Sequence, residues 1–133
     1  MPNEQSWTRA TRMLAAEVLV HPGSRQAQRK LQLLEGETRM EQLCGLEAMA
    51  QIAASQPQFR PDRTIAYAMA EVKFVRGAIV ADGAAFRSEE RWYRLKFRCR
   101  ISTDGRLIQS FEFLVGSAIP TSEWERYGLF AGE

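Results

Sequence analysis

Histidine is nearly absent: of 133 residues one is a histidine, His21, and cysteine occurs only twice. A single imidazole argues against a Ser-His-Asp site and against most zinc sites, which need several histidine or cysteine ligands. The two cysteines, Cys44 and Cys99, stand 55 positions apart, which excludes a C-x-x-C redox or zinc arrangement. Long apolar runs are missing too, and no stretch approaches the roughly 18 residues that a membrane helix needs. There is no G-x-x-x-x-G-K-S/T phosphate cradle, no G-x-G-x-x-G and no G-x-S-x-G string. Neither sign of charge is in excess. The 18 basic and 16 acidic residues leave a formal +2, too little for a global field that would drive the chain onto nucleic acid or membrane. No metal or cofactor is expected, and a carboxylate-based enzyme is the enzymatic class left to weigh.

What is present is ordinary for one globular domain, 45% hydrophobic and 26% charged, with no internal repeat or low-complexity tract. The opening "MPNEQSWTRA" lacks the charged and apolar regions of a secretory signal. An export signal or anchor upstream of residue 1 would lie outside this chain.

The first half reads as helices. Ser6 can cap a segment in which Trp7, Ala10, Leu14 and Val18 recur at helical spacing, ended by "HPG" at 21–23. A second helix, capped by Ser24, carries Ala27, Leu31 and Leu34 on one face and closes at Gly36. Thr38 and Glu41 form a capping box before the third, "MEQLCGLEAMAQIAA". Two prolines in "SQPQFRPDR" break the pattern and strand signals follow. Ile65, Tyr67 and Met69 alternate, and "AIVADGAAF" has strand-like ends around Asp82-Gly83.

The hairpin "WYRLKFRCRISTDGRLIQSFEFLV" is the most informative stretch. A three-residue loop, Thr103-Asp104-Gly105, sets Phe97 opposite Phe111 and Leu95 opposite Phe113 on one face. It sets Lys96 opposite Glu112, Arg98 opposite Ser110 and Arg100 opposite Ile108 on the other. A two-residue Asp-Gly turn would oppose Phe97 to Glu112, so the three-residue loop is preferred. "TSEWERYG" then supplies one or two helical turns ended by Gly128.

Three groups of residues are candidates for function. Cys44 lies on the third helix and Cys99 on the apolar face of its strand, so a helix packed across that face brings the sulfurs together. A disulfide is the favoured reading, with two reduced core cysteines as the alternative. Glu47 and Gln51 fall on the inward face of the same helix, where an ionised carboxylate needs a partner. Either Glu47 pairs with an arginine or caps backbone donors, or it is an acid in a cleft, with Gln51, Asp62 and Arg87 as candidate companions. The third group is the basic row: Trp92, Arg94, Lys96, Arg98 and Arg100 alternate onto one face, within a stretch holding seven basic residues from 87 to 106. It is either a solvated sheet face or an anion-binding surface. Nucleic acid is disfavoured, since Trp92 is the only stacking ring in the row.

The strings "WTRATRMLAAEVLVHPGSRQAQRKLQLL", "EQLCGLEAMAQI", "DRTIAYAMA", "GAAFRS", "WYRLKFRC" and "FEFLVGSAIPTSEW", in that order, resemble an alphaproteobacterial family, mainly rhizobial, catalogued as domain of unknown function 930. The resemblance brings no catalytic residues. It implies an exported or membrane-tethered context, hence an oxidising periplasm that agrees with a disulfide between Cys44 and Cys99. "FRCRISTDGRLIQSFEF" is also similar to the strand, Asp-Gly turn and strand of TonB- and TolA-type C-terminal domains, which are envelope interaction modules.

The expected fold is α+β in a single domain over 1–133. N-terminal helices within 1–55 pack on one face of an antiparallel sheet of about four strands within 62–116, with a short helix at 120–128. The expected role is a non-enzymatic periplasmic interaction module that binds a protein or an anionic envelope component, with no transmembrane segment in this chain. The alternatives are an enzyme acting on an envelope substrate through Glu47, and a cytoplasmic location.

Overall fold

A computed structural model describes residues 7–20, 25–26 and 36–132. The elements are β1 (Thr8–Arg9), α1 (Ala15–Val20), α2 (Gly36–Ser55), β2 (Pro61–Ile65), β3 (Lys73–Val75), β4 (Ala78–Ser88), β5 (Arg91–Ile101) and β6 (Ile108–Ala118), followed by two single 3-10 turns, Thr121–Glu123 and Glu125–Tyr127. The fold is α+β. Its sheet has six strands where about four are expected, all antiparallel, in the order β1-β6-β5-β4-β2. β3 also pairs with β4, at the end away from β2.

Alternation along β5 sets the two faces. Leu95, Phe97, Cys99 and Ile101 are buried while Lys96, Arg98 and Arg100 are exposed. The inner face joins Phe86, Phe111 and Phe113 to a stripe of α2 at four-residue spacing, Cys44, Ala48 and Ile52. Each fully buried phenylalanine is worth about 2–3 kcal/mol in transfer terms. That is enough to decide which side of the sheet α2 covers.

The β5–β6 register differs from the expected one by two residues. Ser102 N–H donates to the Leu107 carbonyl at 2.8 Å, so the loop has four residues, one more than expected. β6 then bulges at Gln109, because Ile101 pairs with Ile108 but Arg100 pairs with Ser110. Phe97 therefore faces Phe113, Cys99 faces Phe111 and Arg98 faces Glu112. An even shift keeps every side chain on its face. Inside the loop the Ser102 hydroxyl and the Arg106 N–H donate to Asp104 at 2.6 and 3.0 Å, and they hold its carboxyl below the usual range.

Four further expectations are corrected. Residues 7–14 are not helical: β6 offers an unpaired edge, and Thr8 and Arg9 pair with Phe113 and Glu112 while Ala10 N–H donates to the Phe111 carbonyl at 2.9 Å. The long helix begins at Gly36, which puts Thr38 inside its first turn. The strand expected over Ile65, Tyr67 and Met69 ends at Ile65 and turns back. Asp82-Gly83 is a bulge inside β4 rather than a turn. There Met69 N–H donates to the Gly83 carbonyl at 2.7 Å, and a Cβ on Gly83 would lie 2.5 Å from the Ala70 nitrogen. The terminal helix consists of the two 3-10 turns, closed by Gly128 at φ 70°. The second expected helix lies outside the described residues, apart from Arg25, Gln26 and Gly36.

Candidate functional site

The inward carboxylate serves backbone. Glu47 is fully buried, and its Oε1 accepts the N–H of Ala15 at 2.8 Å while its Oε2 accepts that of Leu14 at 2.8 Å. These are donors at the start of α1, which no residue earlier in that helix can satisfy. Gln51, one helical turn on, donates to Glu47 Oε2 at 2.6 Å and to the Arg12 carbonyl at 2.7 Å. The two polar residues of α2 thus dock the incoming segment onto the long helix. α1 is thus capped from α2; Ser6, the expected cap, lies outside the described residues.

Arg87 does not join them. It projects from the outer face of β4, where it is buried and paired with Asp62 through two nitrogens at 2.9 and 3.1 Å. Its other nitrogen donates to the carbonyls of Gly132 and Phe130 at 3.0 and 3.3 Å. Glu47 with Gln51, and Asp62 with Arg87, are therefore two separate groups on opposite sides of the sheet.

Among the described residues, the outer face is covered at one end only. Trp92, expected in the exposed row, is fully buried in a second apolar cluster with Ala85, Ile119 and Leu129. The C-terminal residues fold back over it, and its Nε1 donates to the Phe130 carbonyl at 2.7 Å. The rest of the row stays at the surface. Arg94 pairs with Glu123 at 3.7 Å, Arg98 with Glu112 at 2.9 Å, and Arg100 donates to the Arg76 carbonyl at 3.1 Å. β1 and the residue before it add two residues expected on a helix: Arg9, 3.7 Å from Glu112, and Trp7, whose ring lies 4.2 Å from the Arg98 guanidinium carbon. Their alternation about Thr8 is the strand signal that the helical spacing masked. The open end is a shallow basin of about 390 Å³, lined by Arg9, Arg98, Arg100, Val75, Val80 and Glu112. Three cations, Arg9, Arg98 and Arg100, line it with one carboxylate, Glu112.

Cys44 and Cys99 form a disulfide with their Cα atoms 6.1 Å apart, joining α2 to the middle of the sheet. Both are fully buried. Among the described residues no group of three or more His, Cys, Asp or Glu could hold a metal ion, and no helix is long and apolar enough to cross a membrane.

The family model described as Domain of Unknown Function (DUF930) matches residues 31–129. The match takes in α2, strands β2 to β6, both cysteines and Trp92, and leaves β1 and α1 outside. No curated protein and no solved structure matches the chain.

Proposed function

We propose, from the premise that this chain belongs to the DUF930 family, that it is a non-enzymatic interaction module of the cell envelope. It binds an acidic protein or another anionic envelope component on the outer face of its sheet. The observation that carries this reading is the uneven covering of that face. Among the described residues, the C-terminal ones close the end around Trp92 and leave the end around Arg98 and Arg100 open, concave and cationic. Glu112 is shared between Arg9 and Arg98, so the basin has fewer anions than cations and an incoming carboxylate or phosphate meets unmatched donors.

Two further observations support the reading. A buried disulfide is the kind of crosslink that persists in an oxidising compartment, which suits the periplasm implied by the alphaproteobacterial resemblance. Both Glu47 oxygens are occupied by backbone and amide donors, which favours a structural role over acid-base work at that residue.

The test places a photo-crosslinking residue at Lys96 in the producing cell and compares the native background with an Arg98→Glu, Arg100→Glu double variant. Retention on a heparin matrix is measured in parallel against salt. The expected result is a discrete crosslinked species that the double variant loses, with retention falling as salt screens charges beyond roughly 10 Å at 0.1 M. Identical capture by a double variant with an unchanged melting curve would reject the outer-face reading.

A further inference from the structure

A second surface lies at the edge of the sheet, away from the basic face. β2 ends the strand order, and no described residue pairs with its far side. Pro61 and the bulge after it blunt the start of the strand, whereas Arg63, Thr64 and Ile65 are regularly paired with β4 and present an edge. A groove of about 340 Å³ runs along this edge. One side of it is the consecutive run from Asp62 to Tyr67, and the other is a single flank of α2 marked by Glu41, Gly45 and Met49. Helix and strand come together at Gly45, where a Cβ would lie in ordinary contact with the Thr64 side chain at 3.7 Å. At about 3.3 Å per residue the edge accommodates four or five extended residues.

A strand edge beside a helix is the geometry in which a peptide adds by main-chain hydrogen bonds and is selected by side chains that enter the groove. Three charged residues line this groove, Glu41, Asp62 and the exposed Arg63. Asp62 is held by Arg87 at 2.9 Å. Glu41, half-buried in the helical wall, has no hydrogen bond or ion pair with any described residue. Burial raises its pKa. Tyr67, 64% exposed, stands at the mouth, where its ring can cover the stem of a long basic side chain.

We infer that this groove takes an extended segment of a partner polypeptide, added as a strand along β2, with a lysine or arginine set against Glu41 beside the Tyr67 ring. The inference is independent of the outer face, whose charges would repel such a segment.

The experiment pans phage-displayed random peptides, about nine residues long, on the full chain and remakes the winners synthetically. Enrichment of a lysine or arginine at one position is expected. Affinity should fall at least about tenfold in Glu41→Lys. It should fall as well in Gln42→Trp, which fills the groove from an exposed position, and on N-methylation of alternate peptide amides. The Arg98→Glu, Arg100→Glu variant should bind as the native chain does. Melting curves establish that each variant is folded, and Gln42→Trp carries the test if Glu41→Lys is not. Absence of enrichment, winners indifferent to both groove variants, or binding lost in the outer-face variant each overturn the inference. So does a homodimer crosslinked through position 63, because the edge would then be filled by a second copy.

Discussion

Glu47 accepts the backbone N–H of Ala15 at 2.8 Å, tying the start of α1 to the middle of α2 across 32 positions of chain. The same carboxylate takes Leu14 N–H and the Gln51 amide, so all its described partners are donors. Glu47→Gln preserves shape but turns one acceptor into an NH2 group facing other donors. Hydrogen bonds to a buried charged group are worth about 1.5–3 kcal/mol, so the substitution should cost about 2 kcal/mol in urea unfolding. Glu47→Ala, which orphans two backbone donors and the Gln51 amide, should cost more. An unchanged midpoint in both variants would show that this docking contributes nothing.

Glu41 differs in sign. Its carboxyl is partly desolvated, which raises its folded-state pKa above the ordinary 4.5. A raised carboxyl pKa contributes stability that is fully present below the unfolded value and is lost as pH rises through the folded one. At neutral pH the fold therefore carries the cost of a partly buried charge, which Glu41→Gln removes. The variant should unfold at higher denaturant concentration than the native chain at about pH 7 and at the same concentration at about pH 3. Equal shifts at both values would assign the effect to packing instead.

The disulfide closes a loop with a sequence separation of 55, for which the chain-entropy relation gives about 4 kcal/mol. Replacing Cys44 and Cys99 together by alanine should lower stability by about that amount, plus a smaller cavity contribution. Intact mass without reductant should show no free thiol. Because both sulfurs are fully buried, reductant should act on the native chain only as fast as α2 opens from the sheet. Prompt reduction in buffer would contradict that packing.

The parts of the fold that depend on local alternation were legible, and those that depend on distant contacts were not. Along β5 each second residue is apolar, so its faces and the pairing of Cys99 with Cys44 could be argued before any coordinates. The β5–β6 register was misjudged by two because an even slip keeps the same faces; a loop hydrogen bond at Ser102 and a bulge at Gln109 decide it. Trp92 sits in the alternating row, yet residues 119–130 fold back and bury it, a contact that no window around position 92 contains. Residues 7–14 match a helical period equally well, and the free edge of β6 is what draws Thr8 and Arg9 into the sheet. The angular position of Glu47 marks it as inward, but its backbone partners lie more than thirty positions upstream.

The turn between β4 and β5 yields a final prediction. Ser88 pairs with Arg91, so Glu89 and Glu90 are the whole loop, and both are left-handed, at φ 51° and 69°. This is the primed geometry that matches the twist of a hairpin, and it favours Asn-Gly because a Cβ is crowded there. The cost is about 1–2 kcal/mol for each ordinary residue. Both glutamates are exposed, and neither has a hydrogen bond or ion pair with a described residue that would offset it. Adjacent carboxylates also repel. Changing the pair to Asn-Gly removes that strain, while the added glycine gives back roughly 0.5–1 kcal/mol through the freedom of the unfolded chain. The net gain should be about 1 kcal/mol, read as a higher urea midpoint with an unchanged slope. A midpoint that stays level or falls would mean that Glu89 and Glu90 make compensating contacts.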